Sequence, residues 1–200
     1  SVQVPLRPDE THDLEAMRNA ITPRTRVIFI CSPNNPTGQI VDPHELEEFI
    51  AAVPSEIVIV LDEAYVEYVP HEKRAESIRL YREQPNVVVL RTFSKAYGLA
   101  GLRVGFAISQ EPISNALRKT ALPFGVSSIA QAAAIASIEA ESELLERVKS
   151  VVAERDRVAR ELKEMGYQLN PSYANFIWMP LRNDTEAMYQ ALEQAGLSVR

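Results

Sequence analysis

The chain has 200 residues, of which 46% are hydrophobic and 24% are charged, and its formal net charge is -6 at pH 7. This composition is typical of a soluble globular protein with enough apolar residues for one sizeable core or two small ones. The acidic balance and the lack of any run of lysines and arginines argue against a nucleic-acid groove or a membrane-surface patch.

After a strand-like opening (VQVPL, 2–6), short β-branched segments alternate with amphipathic ones through the first half of the chain. Strands are predicted at RVIFICS (26–32), EIVIVLDEAY (56–65), NVVVLRTFSK (86–95) and RVGFAIS (103–109). These segments are apolar on both faces, as in a parallel sheet that helices cover on both sides. The pattern predicts an α/β fold with a mostly parallel sheet flanked by helices.

A helix is predicted over residues 41–53, between the first two strands. Asp42 is its expected N-cap, Pro43 stands at the first helical position, and Glu45 has the spacing of a capping box.

A long helical region follows from about Ser127, and its apolar residues recur at three- and four-residue steps. The stripe is formed by Leu144, Val148, Val151, Val158, Leu162 and Met165, and Arg155 interrupts it. Fewer than four clean heptads are present, so the pattern favours a long helix that leaves a large domain and packs a smaller one over a coiled coil.

A second α/β unit is expected to begin after Gly166. The segment ANFIWMPL (174–181) predicts a strand, TEAMYQALEQAG (185–196) predicts a helix that ends at a glycine cap, and the closing residues LSVR (197–200) are strand-like. We therefore expect residues 1–140 to form part of a large domain, 141–166 an interdomain helix, and 167–200 the start of a small α/β domain.

The cellular setting can also be predicted. Cys31 is the only cysteine, so no internal disulfide can form, and its apolar neighbours predict a buried strand thiol. No apolar stretch reaches about 18 residues, and no leader-like segment is present, so we expect a cytoplasmic protein with no membrane span. Because the chain starts at Ser1 and opens and closes on strand-like residues, we expect it to be a piece of a longer protein.

Four polar residues stand at strand ends or in the turns that follow: Asn35, Asp62, Tyr65 and Lys95. Ligands of open α/β sheets bind outside the carboxyl ends of the strands, so these residues are expected to converge. Taken singly, each has a structural explanation: a turn at SPNNPTG (32–38), a helix cap at Asp62, a core tyrosine, or a lysine that reaches solvent.

One cofactor requires all four groups together. A lysine at a strand end can form a Schiff base with the aldehyde of pyridoxal 5'-phosphate, which removes the cost of burying a charged ammonium. A fixed aspartate keeps the pyridine nitrogen of that cofactor protonated, and a tyrosine hydroxyl and an asparagine amide can donate to its phenolate oxygen. The phosphate needs a planar cation and hydroxyls, which stand nearby in sequence as Thr92, Ser94 and Arg103.

The motifs NNPTG (34–38), DEAY (62–65) and TFSKAYGLAGLRVG (92–105), in this order and spacing, resemble the fold-type I pyridoxal-phosphate aminotransferases. The resemblance extends over essentially the whole chain and is closest to the branch that holds the histidinol-phosphate and the aromatic, phenylalanine-type, aminotransferases. It implies an aspartate-aminotransferase-like large domain, a homodimer, and amino-acid and 2-oxo-acid substrates.

The resemblance also implies a role for each site residue. Lys95 would be the Schiff-base lysine and later move the proton between the substrate's α-carbon and the C4' carbon of the cofactor. Asp62 would pair with the pyridine nitrogen, Tyr65 and Asn35 would bind the phenolate oxygen, and the phosphate would be held by Thr92, Ser94 and Arg103. The family's N-terminal phosphate loop, its ring-stacking aromatic residue, the tyrosine lent to the neighbouring subunit and its carboxylate-binding arginine are not found in this chain.

The amino donor is the least determined feature. A histidinol-phosphate enzyme is expected to have a tyrosine and an asparagine in the segment LPFGVSS (122–128), where this chain has Phe124 and Gly125. The apolar surface favours an aromatic amino acid such as phenylalanine, with 2-oxoglutarate as a typical 2-oxo acid. Asn175 and Arg200 are candidate substrate residues, and since Arg200 could bind either a phosphate or a carboxylate, histidinol phosphate is the alternative donor.

Two other classes of protein fit the sequence less well. A nucleotide-binding domain needs a GxGxxG or GxxxxGK[ST] loop, and neither occurs. A catalytically silent relative is expected to have lost Lys95 or Asp62, and both are present. No metal site is predicted.

Overall fold

The computed structural model describes residues 1–200, which form seven α-helices around one four-stranded sheet. The strands are β1 (Val27–Cys31), β2 (Val58–Asp62), β3 (Val87–Thr92) and β4 (Gly105–Ile108). The helices are α1 (Leu14–Asn19), α2 (Pro43–Ala52), α3 (Ser77–Glu83), α4 (Glu111–Thr120), α5 (Ser128–Glu139), α6 (Glu141–Glu164) and α7 (Thr185–Gln194). None of these helices combines the length and the apolar character that crossing a membrane requires.

The sheet has the order β1-β2-β3-β4 and is mostly parallel, as predicted. β1, β2 and β3 run parallel, because α2 and α3 lie in the connections between them. β4 is antiparallel to β3, since the connection between them contains only a single 3₁₀ turn and the chain simply reverses. Each strand is shorter than its predicted segment, and the polar residues at the segment ends leave the sheet.

The main hydrophobic core lies on one face of the sheet. It consists of 14 buried residues from the first three strands, from α1, α2 and α3, and from the segments between them. On the opposite face Phe29 remains 68% exposed and Val27 45% exposed. The predicted sheet flanked by helices is confirmed, but this face of β1 is uncovered within this chain, because α1, α2 and α3 all pack against the side chains that point the other way.

The N-terminus of α2 is capped as predicted, but without the capping box. Asp42 Oδ1 accepts hydrogen bonds from the backbone N–H groups of His44 (2.9 Å) and Glu45 (3.1 Å). The Glu45 carboxylate instead pairs with Arg7 at 3.1 Å. The ion pair with Arg7 therefore holds the Glu45 side chain that a capping box would require.

The predicted long helical region is divided at Ala140 into α5 and α6. Val148 is the only fully buried residue of α6, and Leu145 and Val152 pack beside it, whereas Val151 and Met165 are exposed. Leu144, Val158 and Leu162 of the predicted stripe are half-buried, so most of the predicted stripe is confirmed, and Arg155 lies on the same face rather than interrupting it.

Residues 167–181 contain no strand, contrary to the prediction for 174–181, and the strand-like ends 2–6 and 197–200 are also irregular. A strand needs a neighbouring strand to satisfy its main-chain groups, and this chain offers none at these positions. The predicted helix α7 is confirmed, and Gly196 follows it with φ +79°, the left-handed conformation typical of a glycine cap. The division into large and small domains stays a prediction.

Candidate active site

The carboxyl ends of the three parallel strands lie side by side at one edge of the sheet. Cys31 at the end of β1 is in register with Asp62 at the end of β2, and Asp62 is in register with Leu90 of β3. The loops after these strands carry Asn35, Tyr65 and Lys95. Parallel pairing therefore gathers residues that are far apart in the sequence.

Three of the four polar residues meet around the ring of Tyr65. Asn35 Nδ2 donates a hydrogen bond of 2.9 Å to the Tyr65 hydroxyl. The Lys95 ammonium nitrogen lies 5.0 Å from the centroid of the same ring, within cation–π distance. The Tyr65 residue is buried, with 4% exposure. The Asn35 amide and the Lys95 amine thus both contact the buried side chain of Tyr65.

Asp62 ends β2 and stays half-buried. Its Oδ1 atom accepts a hydrogen bond of 3.1 Å from the backbone N–H of Ala64, which fixes the carboxylate at the strand end. Its Oδ2 atom makes no hydrogen bond within the chain. One carboxylate oxygen is therefore available to an external donor.

The loop that carries Asn35 is held tightly. Asn34 Nδ2 donates to Thr37 Oγ1 at 3.0 Å, and the main chain of Asn34 bonds Gly38 and Gln39. Gly38 has φ +74°, and a Cβ atom there would lie 2.5 Å from Ser172 Oγ. This position requires glycine for both reasons, because residues 172–173 pack directly on the loop.

The three predicted phosphate residues are close in sequence, but no hydrogen bond joins Arg103 to Thr92 or Ser94. Thr92 Oγ1 accepts a hydrogen bond of 3.1 Å from the Ser94 backbone N–H. Arg103 is exposed, has φ +54°, and its guanidinium donates to the Ala100 carbonyl oxygen at 2.8 Å. The arginine is therefore free to swing towards a ligand at the cost of one exposed hydrogen bond.

The two predicted substrate residues lie apart from this cluster. Asn175 is exposed and its side chain lies beside the hydroxyl of Tyr68, which is itself buried. Arg200 is exposed at the last position and forms no ion pair. The structure joins neither of them to Lys95 or Asp62.

A buried ion pair behind the site was not identified from the sequence. Arg91 Nε and Nη2 donate to Glu63 Oε2 at 3.0 and 2.9 Å, and the Glu63 side chain is only 5% exposed. Burial raises the pKa of the Glu63 carboxyl, and Arg91 opposes this shift. Glu63 follows Asp62 and Arg91 precedes Thr92, so the pair ties together the two strand ends that carry the site. The only sign of this pair in the sequence is the position of Glu63 next to Asp62 and of Arg91 next to Thr92.

Two further contacts were also missed. Tyr97, two residues after Lys95, donates to Glu141 Oε1 at 2.9 Å, and burial together with this hydrogen bond raises the pKa of Tyr97 to about 12. Phe176 packs edge-on against Tyr65, with ring centroids 5.4 Å apart and an interplanar angle of 89°. Both contacts join residues more than 40 positions apart, which sequence periodicity does not reveal.

Curated proteins and solved structures closely resemble this chain. It is 60% identical over 200 residues to an aromatic amino acid aminotransferase of Streptomyces coelicolor and 58% identical to that of Streptomyces avermitilis. Each match covers 100% of this chain and 56% of the relative, so the chain spans about half the length of these proteins.

Among solved structures, histidinol-phosphate aminotransferase from Sinorhizobium meliloti in complex with pyridoxal 5'-phosphate superposes with a TM-score of 0.90 at 32% identity, covering 100% of this chain and 55% of that one. N-succinyldiaminopimelate aminotransferase from Mycobacterium tuberculosis superposes with a TM-score of 0.82 at 27% identity, covering 98% and 55%. The family model for aminotransferase class I and II matches residues 1–200. From this match over its whole length, the chain belongs to the class I and II aminotransferases.

Proposed function

We propose that the protein containing this chain is a pyridoxal-phosphate-dependent aminotransferase that transfers the amino group of an aromatic amino acid to a 2-oxo acid such as 2-oxoglutarate. The observation that carries this proposal is the convergence of Lys95, Tyr65 and Asn35 beside the strand end that carries Asp62. When bound, the cofactor supplies an electron sink that makes the α-proton of an amino acid acidic.

The residues at this edge of the sheet fit that cofactor by their donor and acceptor chemistry. Asp62 offers a carboxylate oxygen without a hydrogen bond to a protonated ring nitrogen. The Tyr65 hydroxyl accepts from Asn35, so its own proton is free to be donated to an oxyanion. The Lys95 amine lies over the ring of Tyr65 and can act as the nucleophile that binds the cofactor's aldehyde. The remainder of the binding site would come from parts of the protein outside this chain.

Each residue would then have a defined role. Lys95 would hold the cofactor through its Nζ atom and would use the same atom to accept and return the proton of the substrate. Asp62 would keep the ring nitrogen protonated, and Tyr65 with Asn35 would fix the orientation of the ring. The Glu63–Arg91 pair keeps the ends of β2 and β3 in register beneath these groups.

Arg103 is assigned to the cofactor's phosphate together with Thr92 and Ser94. Replacing Arg103 with lysine should weaken pyridoxal-phosphate binding by roughly tenfold or more, since an ammonium cannot form the bidentate fork of a guanidinium. The dissociation constant follows from a titration of the visible absorption band in the full-length protein. Arg118→Lys, on the exposed surface of α4, is the matched control. Unchanged affinity in Arg103→Lys would remove this residue from the phosphate site.

The choice of an aromatic donor rests on two independent supports. The curated relatives at 58–60% identity are aromatic amino acid aminotransferases, whereas the solved histidinol-phosphate enzyme is 32% identical. Phe124, in the turn between α4 and α5, presents a fully exposed ring with φ +57°. Such a ring suits an aromatic side chain better than a phosphate. The overall fold likeness to the histidinol-phosphate enzyme makes histidinol phosphate the alternative donor.

The donor is tested by steady-state kinetics on the full-length protein. With 2-oxoglutarate as acceptor, kcat/KM for phenylalanine should exceed that for histidinol phosphate by at least about tenfold, equivalent to about 1.4 kcal/mol of transition-state binding. A tenfold preference in the other direction would make the protein a histidinol-phosphate aminotransferase.

We also propose that the full-length protein is a homodimer. The chain alone supplies only part of the cofactor's contacts, and α5 exposes large apolar side chains at Ile129, Ile135 and Ile138. Exposed apolar residues grouped on one helix are typical of an interface. Equilibrium sedimentation of the holoprotein should give twice the subunit mass, and an active monomer would contradict this proposal.

A further inference from the structure

Arg155 occupies an unexpected place on helix α6. It follows Val148 and Val152 at three- and four-residue steps on the buried stripe, and its side chain is only 8% exposed. Burying a guanidinium at such a position costs free energy because the charge loses its hydration. A leucine or methionine would not incur this cost. Packing alone therefore does not explain an arginine here.

The Arg155 guanidinium makes one buried contact that an apolar side chain could not make. Its Nη1 atom donates a hydrogen bond of 2.9 Å to the carbonyl oxygen of Ala174, a residue with 0% exposure. Residues 167–181 form no strand, so no sheet partner satisfies this carbonyl. The remaining ion pair, to Asp156 at 2.8 Å, involves a carboxylate that is 61% exposed and contributes little.

The segment fixed by Arg155 leads directly to Tyr65. Ser172 Oγ accepts from the Ala174 N–H at 3.2 Å and donates to the Phe176 carbonyl oxygen at 2.6 Å, which closes residues 172–176 into a tight turn. This turn places the Phe176 ring edge-on against Tyr65 at a centroid distance of 5.4 Å. The opposite constraint on Tyr65 is the hydrogen bond from Asn35 to its hydroxyl.

We propose that Arg155 is a positioning residue that acts through the Ala174 carbonyl and the Phe176 ring to hold Tyr65 in place for the cofactor. The inference rests on the proposed function, because Tyr65 matters only if its hydroxyl serves the cofactor's phenolate oxygen. Helix α6 is thereby connected to the centre of the site. Loss of the guanidinium releases the turn, and Tyr65 then loses its support on one side.

Two titratable groups face Tyr65: Lys95, whose ammonium lies over the ring, and Tyr68 in the adjoining 3₁₀ turn. Arg155 itself reaches Tyr65 only through the turn at residues 172–176. A change at Arg155 should therefore alter the cofactor's titration through the position of Tyr65 and not through direct charge.

The test uses the full-length protein with Arg155→Met, Arg155→Lys and Phe176→Leu. The matched control is Arg160→Met on the same helix, where the side chain is exposed and makes no hydrogen bond. The first readout is hydrogen exchange of peptides covering residues 63–69 and 172–178 in the cofactor-free protein. The second is the pH midpoint of the visible absorption band of the holoprotein, measured also in a Tyr65→Phe background.

In Arg155→Met and Phe176→Leu, the 63–69 peptide should exchange at least about tenfold faster, since local opening governs exchange. The pH midpoint of these two variants should differ from that of the parent by about half a unit or more. Arg155→Lys should show a smaller shift than Arg155→Met, and Arg160→Met should have the midpoint of the parent. When Arg155→Met is combined with Tyr65→Phe, the pH midpoint should be the same as in Tyr65→Phe alone, because the effect of Arg155 requires the Tyr65 hydroxyl.

Unchanged exchange of the 63–69 peptide, or a midpoint shift that persists in Tyr65→Phe, would overturn the proposal. If Arg155→Met does not fold, Arg155→Lys and Phe176→Leu decide it by the same readouts. If the parent protein shows no absorption band with pyridoxal phosphate, the proposed function fails, and the exchange of the 63–69 peptide alone decides whether Arg155 positions Tyr65.

Discussion

Replacing Lys95 with alanine should leave the full-length protein folded and able to bind pyridoxal phosphate only without a covalent link. Lys95 is half-buried in the loop after β3, and the contact of its ammonium with the ring of Tyr65 contributes about 0.5–1 kcal/mol. The amine is also the group proposed to move the substrate's proton. Loss of positioned proton transfer alone lowers kcat by roughly 10²- to 10⁴-fold, and loss of covalent attachment lowers it further.

The attachment is measured by borohydride reduction followed by peptide mapping. In the parent protein the cofactor should be found on the peptide that contains Lys95, and in Lys95→Ala on none. Lys119→Ala, on the exposed face of α4, is the control and should retain both label and turnover. Recovery of the label on Lys119 or Lys163 would refute the assignment of Lys95.

Replacing Asp62 with asparagine should preserve cofactor attachment and slow the abstraction of the substrate's α-proton by roughly three orders of magnitude or more. The physical reason is charge: only a carboxylate keeps the ring nitrogen protonated. The fold should tolerate the change, because an asparagine Oδ1 can still accept the hydrogen bond from the Ala64 N–H.

The decisive measurement for Asp62→Asn is single-turnover kinetics with α-deuterated and unlabelled substrate, which isolates the proton-transfer step. The variant should show a large isotope effect on a slow step, while borohydride still labels Lys95. Asp184→Asn, an exposed carboxylate before α7, is the control and should behave as the parent. Near-normal turnover of Asp62→Asn would remove this carboxylate from the mechanism.

Much of this protein was predictable from the sequence because the relevant signals are local. The cap of α2 at Asp42 and Pro43, the glycine that ends α7, and the apolar segments of β1, β2 and β3 are each set by a few adjacent residues. The candidate site residues stand in short motifs, and the rule that ligands bind at the carboxyl ends of parallel strands predicted that they would meet. The structure brings Asn35, Tyr65 and Lys95 into contact in that way.

The tertiary structure decided whatever depends on partners far along the chain. Glu45 pairs with Arg7 instead of closing a capping box, and residues 174–181 lack a strand because no neighbouring strand pairs with them. The Glu63–Arg91 pair, the contact of Phe176 with Tyr65 and the hydrogen bond from Arg155 to Ala174 join positions from 19 to 111 residues apart. Contacts at such separations depend on which faces of the helices and strands pack together. A periodic pattern in the sequence shows that a face is apolar, but it does not show which element packs against that face.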